Sequence, residues 1–437
     1  MNKKYNNNIC IFGLGYVGLT LSIALAEKKY KIYGIEKNKN TIKKILKCKP
    51  ELYEPNIKKK LKKVLLKKKL ILHHKLNKNT KANTYIITVG TPLSKNNTCN
   101  FKMIKEVTYQ ILKYLKNNDH IILRSTVKIG TTNNIVKKIL KKSNKKFFIS
   151  FCPERTIEGK ALKELNSLPQ IISGDSNQSI LKAKNLFQNV TKKIVKVDSL
   201  EGAEMIKLVD NMQRDVKFAL SNEIALMCEK SNVNVNDVIR LGKIDYPRTN
   251  LFDPGPVGGP CLEKDTYILA EYFSKNFKPR IGLNARKVNK FIIENAIEVL
   301  KEKFKFFKYK KIKICVFGLA FKGDPPVADM RGSTSINLIK HIRNKLKHSI
   351  ISGYDDLIDD KYFKKLKIFK KLSLKNSFSG FDIIIIHNNR KSYSKINLNH
   401  YSKFMNNNGV IYDFWNNFDK KKLKLSNNVE YLALGNI

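Results

Sequence analysis

Residues 8–36 read NICIFGLGYVGLTLSIALAEKKYKIYGIE, and the order of features in that run decides the fold. Asn8 to Phe12 is a short apolar strand. Gly13-Leu14-Gly15-Tyr16-Val17-Gly18 follows at once, then an apolar-periodic helix through Lys28, then a second strand from Lys31 to Ile35 that ends on Glu36. Strand, GxGxxG, helix, strand and acid in that order make up the dinucleotide-binding fingerprint in the context it requires. Gly13 makes the turn, Gly15 admits a pyrophosphate to the helix N-terminus, and Gly18 lets helix and strand pack; Tyr16 and Val17 complete the cofactor turn. Glu36 is placed to accept hydrogen bonds from the adenosine ribose and to repel a 2′-phosphate, which predicts NAD rather than NADP.

Working outward, further strands are expected at Thr84 to Val89, His120 to Leu123 and Phe147 to Phe151. Helices are expected between them at Met103 to Leu115 and Thr131 to Lys141. Alternation of this kind predicts a parallel, doubly wound sheet, which binds ligands at the carboxyl ends of its strands. Those ends carry Gly90-Thr91-Pro92, Arg124-Ser125-Thr126-Val127 and Cys152-Pro153-Glu154-Arg155-Thr156-Ile157-Glu158-Gly159. Each run serves equally as turn chemistry or as a Ser-Thr pair and two carboxylates converging on a nicotinamide.

From Leu200 to Lys230 the pattern is one long helix. Met205, Val209, Met212, Val216, Leu220 and Ile224 recur at helical spacing, as in a core stripe or a subunit interface. Lys207 and Asn211 are four apart and share a face, where they are either solvated or poised to donate to an oxyanion. A helix from Gly282 to Phe304 and a lysine-rich connector to Lys313 lead into a second α/β unit. Its strands are expected at Ile314 to Leu319, Ser349 to Tyr354, Phe381 to His387 and Gly409 to Asp413, with a helix at Ser335 to Leu346. Its first loop lacks GxGxxG, so a nucleotide-type fold without a second NAD is expected. Lys322 and Arg331 supply cations near the end of its first strand. The fold class is therefore α/β, with two Rossmann-like doubly wound parallel-sheet domains joined by a central helical domain containing a long helix.

Between the two α/β units lies YPRTNLFDPGPVGGPCLEKD, Tyr246 to Asp265. Glycines let its backbone approach a ligand closely and prolines stiffen it, so Cys261 is expected at the N-terminus of a helix running from Lys264 to Phe273. A thiolate is favoured there. The alternative is a buried, inert cysteine in a tight turn.

Composition narrows the classes. A chain of 437 residues with 42% hydrophobic content has room for two or three packed domains at ~100–200 residues each. Apolar runs such as Ile383 to Ile386 are far short of the ~20 residues that span a bilayer, and no stretch reads as a signal peptide. Seven cysteines without CxxC spacing and seven ungrouped histidines predict neither disulfides nor a metal site, and fit a reducing cytoplasm. The formal charge is +49, from 85 basic and 36 acidic residues. A basic nucleic-acid-binding protein is one reading of that charge. The lysines, however, are spread along the chain, as at Lys58 to Lys60 and Lys420 to Lys422, so diffuse surface charge without specific nucleic-acid binding is expected.

The runs GLGYVG, STVKIGTT, CPERTIEGKA, EMIKLVDN, GPVGGPCLEKD and LAFKGDPPVADMRGS, in this order, resemble the UDP-glucose/GDP-mannose dehydrogenase family over nearly the whole chain. The resemblance implies an NAD-binding Rossmann domain over 1–198, a central helical dimerisation domain with the catalytic cysteine loop over 199–305, and a UDP-sugar-binding Rossmann-like domain over 306–437. It implies a cytoplasmic homodimer that oxidises the 6-hydroxymethyl group of a UDP-sugar to a uronic acid for polysaccharide biosynthesis, with NAD as acceptor and a cysteine thioester as intermediate.

By the same resemblance Cys261 is the nucleophile, Lys207 and Asn211 stabilise oxyanions, and Asp265, Glu154, Glu158 and Thr126 handle protons and water. Thr91, Thr126 and Arg331 join the cofactor set. Glu154, Arg155, Lys207, Asn211, Gly258 and Lys322 join the substrate set, with Arg248 reaching a substrate in the partner subunit. The Cys-Pro-Glu-Arg form at Cys152 to Arg155 resembles the UDP-N-acetylhexosamine branch and implies UDP-N-acetyl-D-mannosamine as substrate. Glu158 is shared with the UDP-glucose branch, which keeps UDP-glucose and UDP-N-acetylglucosamine as alternatives. A two-electron hydroxy acid dehydrogenase is the alternative from another class; it needs neither the cysteine loop nor the second α/β unit.

Overall fold

The computed structural model describes residues 8–28, 30–273, 277–304 and 311–437. The chain forms two compact units, Met1–Asp210 with Lys264–Lys278, and Asn211–Glu263 with Pro279–Ile437. Most of the lysine-rich connector, and the boundary expected at 305/306, fall on 305–310, outside the described residues.

The first unit is built on an eight-stranded sheet: β1 (Asn8–Phe12), β2 (Lys31–Ile35), β3 (Leu70–His73), β4 (Thr84–Ile87), β5 (Asp119–Leu123), β6 (Phe147–Phe151), β7 (Gln170–Gly174) and β8 (Ile194–Lys196). Their order is β3-β2-β1-β4-β5-β6-β7-β8. It reverses between β1 and β4, so the ligand crevice of such a sheet lies beyond the carboxyl ends of these two strands. The expected strands are present, but the sheet is not wholly parallel. β7 runs antiparallel to β6, with Ser150 opposite Gly174, and β8 is parallel to β7. β3, β7 and β8 are not among the expected strands; β3 and β8 are short, with side chains mostly half-buried or exposed.

The helix expected over Thr131 to Lys141 opens instead as a wide π turn, Thr132–Lys137, before an α turn at Lys138–Leu140. Glu204 accounts for how it starts. Its carboxylate accepts from Gly130 N (2.5 Å), Thr132 N (2.8 Å) and the Thr132 hydroxyl (2.6 Å).

The long helix runs unbroken over Leu200–Ser231, close to expectation. The face it buries is not the expected one. Met205 and Leu220 are 41% and 48% exposed, and the rest of that apolar stripe is half-buried. The buried line is Leu208, Asn211, Asp215, Ala219, Asn222 and Ala225. Both lines satisfy i, i+3, i+4 spacing, and periodicity selected the apolar one. Asp215 and Asn222 are buried because they find hydrogen-bond partners inside the fold. Of the stripe, Ile224 packs against the core of the second unit, while Met205 and Leu220 stay exposed.

The second unit holds a six-stranded, fully parallel sheet of β9 (Lys313–Phe317), β10 (Ile350–Tyr354), β11 (Phe369–Lys370), β12 (Ile383–Ile386), β13 (Val410–Asp413) and β14 (Glu430–Ala433), ordered β11-β10-β9-β12-β13-β14. Alternate residues serve its two faces. Ile314, Val316, Ile383 and Ile385 pack in the core that includes Ile292, Ala296 and Leu300 of the helix Arg280–Lys303. Cys315, Phe317, Ile384 and Ile386 pack with Phe378 and Tyr393.

Burial raises the Glu204 carboxyl to about 7, although three donors oppose the shift. A folded value above the unfolded one means that the native state holds the extra proton, so stability falls as pH rises through roughly 4.5 to 7, by on the order of 3 kcal/mol. In Glu204→Gln, thermal denaturation followed between about pH 5 and 7.5 should show a smaller loss of Tm than wild type.

Candidate active site

In the first unit the turn after β1 shows what each glycine is for. Gly13 has φ +85° and donates its N–H to Ile35 O (2.8 Å), while the Thr88 hydroxyl bonds the carbonyls of Phe12 and Gly13. A Cβ on Gly18 would lie 1.8 Å from Gly13 O, yet one on Gly15 would meet nothing within 4 Å. Protein atoms thus account for Gly18, whereas Gly15 leaves clear space at the start of the helix Tyr16–Glu27, which has no side-chain cap. Free first-turn N–H groups beside clear space suit a pyrophosphate. Glu36 accepts from Leu14 N and Asn38 N, one on each oxygen at 2.9 Å, and each oxygen retains a lone pair for a ribose hydroxyl. The residues present therefore fit NAD.

Tyr16 does more than fill the turn. Its hydroxyl bonds the buried Glu54 carboxylate and accepts from Gly159 N (2.6 Å), and Glu54 also accepts from Leu162 N (3.0 Å). The dinucleotide turn is thereby tied to the Glu158-Gly159 segment. Burial and the Glu54 carboxylate push the Tyr16 hydroxyl well up, so it stays protonated.

Beyond the strand ends, the Thr91 hydroxyl donates to Thr126 O (2.6 Å). Lys264 Nζ lies 3.5 Å from Thr91 Oγ1 and 3.0 Å from Asp265 Oδ1. Glu271, on the same helix as Asp265, pairs with Lys128 (2.8 Å) and accepts from Cys99 N (2.6 Å). Thr91, Thr126, Lys264 and Asp265 are therefore gathered in one place. Asp265, fully buried, is the first residue of the helix Asp265–Tyr272. Cys261 lies four residues earlier in the chain, in the turn before this helix, which starts one residue later than expected.

Glu154 is a fixed carboxylate. Arg124 Nη2 lies 2.7 Å from one oxygen, and Arg155 N and Thr156 N donate to the other. Burial alone would raise its pKa, but Arg124 and the Thr156 bonds hold it below the usual range. Arg155 pairs with Asp210 at 3.0 Å, and Glu158 and Lys207 are half-buried.

In the second unit the cysteine loop packs by backbone. A Cβ on Gly258 would lie 2.3 Å from Gly332 O, and one on Gly259 (φ +98°) 2.5 Å from the Phe321 ring. Gly259 N donates to Gly332 O (2.7 Å). The glycines here allow a close approach of backbone to the loop after β9. Cys261 itself is exposed. Five other cysteines are buried, and burial pushes their thiols up, Cys99 to about 11 and Cys152 to about 12. Asn211 is buried. Arg248 is exposed above the Tyr246 ring, Lys322 lies over Phe321 at 5.6 Å, and Arg331 forks onto Asp329.

The sequence matches the models of three successive domains described as the UDP-glucose/GDP-mannose dehydrogenase family, NAD binding domain (residues 7–191), central domain (201–291) and UDP binding domain (315–420). The chain belongs to the UDP-glucose/GDP-mannose dehydrogenase family. It is 30% identical over 417 residues to the UDP-N-acetyl-D-mannosamine dehydrogenase of Methanococcus vannielii, covering 94% of this chain and 93% of that one. It is 33% identical over 395 residues to that of Methanocaldococcus jannaschii, covering 89% and 87%. The solved UDP-D-ManNAc dehydrogenase of Pyrococcus horikoshii superposes with TM-score 0.87 at 28% identity, covering 98% of this chain and 99% of that one. The protein is an NAD-dependent UDP-sugar dehydrogenase, an oxidoreductase. Among the described residues no helix is long and apolar enough to cross a membrane.

The second sheet of this dehydrogenase repeats the plan of the first with one change. Asp355 follows β10 as Glu36 follows β2, and it accepts from Leu319 N (2.8 Å) and Ala320 N (3.2 Å) as Glu36 accepts from Leu14 N. Asp355 is buried and paired with Arg390 at 2.8 Å, so it does not present a ribose acceptor. Glu54, Arg124, Asp215, Arg286 and Arg390 escaped the sequence reading because their partners lie far away in the chain. A partial signal existed: the chain has only ten arginines among 85 Lys and Arg, and Arg124, Arg286 and Arg390 are the three of them that are buried.

Iodoacetamide at neutral pH should modify Cys261 roughly tenfold or more faster than the five buried cysteines, as read by peptide mass mapping. Equal labelling of Cys152 and Cys261 would contradict the burial described above.

Proposed function

We propose that the enzyme oxidises UDP-N-acetyl-D-mannosamine to UDP-N-acetyl-D-mannosaminuronate, through a thiohemiacetal and a thioester on Cys261. The observation that carries the mechanism is Cys261, an exposed thiol in a loop fixed by its glycines. Support for the substrate comes from the names of the relatives and from the Cys152 to Arg155 segment. NAD, when bound, accepts a hydride from the sugar carbon at each of the two oxidations.

In the first oxidation the 6-hydroxyl proton passes to a base as the aldehyde forms. Cys261 Sγ then adds to the aldehyde carbon and the oxygen takes a proton, which restores a tetrahedral carbon that bears a hydrogen. Loss of that hydrogen as hydride and of the hydroxyl proton gives a thioester. Water adds, the thiolate leaves and the acid is released. Lys207 and Asn211, one helical turn apart, stabilise the tetrahedral oxyanions. Asp265, Glu158, Glu154 and Thr126 order the protons and the water. Within that set the Arg124 pair suits Glu154 to fixing a donor, and leaves proton uptake to Asp265 and Glu158.

The proposal extends to organisation. NAD turn, cysteine loop and UDP-binding sheet belong to domains over 1–198, 199–305 and 306–437. Thr91 joins the cofactor set. Arg331 anchors cofactor or substrate, and Arg155, Gly258 and Lys322 anchor substrate. The half-exposed Met205 to Ile224 stripe and the exposed 244–248 segment fit a homodimer in which Arg248 reaches the partner's substrate. Seven free cysteines suit a cytoplasmic enzyme supplying activated uronic acid to polysaccharide assembly.

With UDP-N-acetyl-D-mannosamine the wild-type enzyme should yield two NADH per uronate. Cys261→Ala should lose nearly all uronate formation, roughly 10³-fold or more, while NAD binding by calorimetry is kept. One NADH per sugar in wild type, or near-normal kcat in Cys261→Ala, would return the chain to two-electron chemistry. Faster turnover of UDP-glucose would move the substrate to that branch.

A further inference from the structure

Four buried side chains of the second unit hold both ends of the cysteine loop. Arg286, on the helix Arg280–Lys303, puts Nη1 2.7 Å from Asp215 Oδ1 and Nη2 2.7 Å from Glu263 Oε1. Asn289, one turn further on, donates to the same Asp215 oxygen (2.8 Å), and its own Oδ1 accepts from Asn222 Nδ2 (2.8 Å). Asn222 then bonds Gly255 in both directions, accepting from its N–H (2.7 Å) and donating to its carbonyl (3.2 Å). Asp215, Asn222, Arg286 and Asn289 are each fully buried, and Glu263 is the part-exposed member. Gly255 opens the loop, and Glu263 stands two residues after Cys261.

We propose that the Arg286–Glu263 ion pair, with the Asp215–Asn289–Asn222 chain behind it, is the positioning device that aims Cys261 at the aldehyde. The proposal rests on the reading of Cys261 as nucleophile. Stability alone does not explain such a network, because a buried ion pair recovers little beyond its desolvation cost and apolar side chains of similar volume serve a core as well. Direction is what it adds. Asn222 fixes the loop backbone at 255, Arg286 fixes a side chain at 263, and the intervening turn cannot rotate without breaking one of them. None of these residues needs to touch substrate. They act through the loop, and a displacement of about 1 Å at a reacting atom costs ~10²-fold in rate.

Misaiming has a signature that general damage lacks. The first oxidation needs no sulfur, so a displaced thiol lets the aldehyde escape before it is captured. In Glu263→Ala, and independently in Asn222→Ala, NADH per sugar consumed should fall from two toward one. Aldehyde should become trappable with hydroxylamine, and uronate formation should drop roughly 10- to 100-fold with KM for NAD unchanged. Glu263→Gln keeps an acceptor for Arg286 and should recover most of the ratio. Two NADH per sugar at wild-type rate in either folded variant overturns the proposal, as does a uniform loss of rate without trapped aldehyde. Cys261→Ala run in parallel separates the two claims: normal turnover there removes the nucleophile reading itself, whatever the Glu263 variants do.

Discussion

A single close contact, the hydrogen bond from Gly259 N to Gly332 O at 2.7 Å, shapes the second unit. It requires two chain segments to meet backbone to backbone, which removes side chains at Gly258, Gly259 and Gly332 together. A Cβ on Gly332 (φ +62°) would lie 2.7 Å from Gly259 O, just as one on Gly258 would strike Gly332 O. Side-chain packing tolerates adjustment by rotamer change, whereas backbone on backbone does not. The loop that carries Cys261 therefore inherits the rigidity of the sheet behind it. That rigidity suits the role proposed for Cys261.

Charge divides between two tasks in this lysine-rich chain. Lysine pairs such as Lys44–Glu51 and Lys60–Glu27 lie at the surface, where each contributes ~0–1 kcal/mol at most. Three buried carboxylates are held by arginine, Glu154 by Arg124, Asp215 by Arg286 and Asp355 by Arg390, while buried Asp265 is paired with Lys264 and buried Glu204 is held by N–H and hydroxyl donors. A lysine ammonium is strongly hydrated and offers no planar fork, which suits Arg124, Arg286 and Arg390 to these buried places, although the other seven arginines are exposed.

The same contrast explains what the sequence made legible. The GxGxxG turn could be read because its glycines encode local sterics; Gly18 meets Gly13 O five residues away. The long helix could be read for its length but not for its buried face. An Asp215 or Asn222 looks solvent-directed until Arg286 and Asn289 are seen opposite it. Of the site, Thr91, Thr126 and Asp265 could be named from strand ends and a loop. Lys264, which lies against both Thr91 and Asp265, was visible only as a neighbour. Glu54 gave no signal, since its partner Tyr16 stands in a different motif.

The two sheets show how one plan yields two binding modes. Each places a left-handed glycine after its first strand, Gly13 at φ +85° and Gly318 at φ +81°, and each ends its second strand next to an acid that takes an N–H of the turn after the first strand. In the first unit that acid retains lone pairs at a half-buried position, which suits ribose hydroxyls. In the second, Arg390 bonds Asp355 and also Asp356, so the acid has become a strut for its turn. Lys322 and Arg331 stand in the loop after β9, Lys322 over the Phe321 ring and Arg331 forked onto Asp329. In the second unit the arginine that makes the acid structural comes from the loop after β12. The same turn geometry thus serves with an acid that keeps open lone pairs in one unit and with an acid closed by arginine in the other.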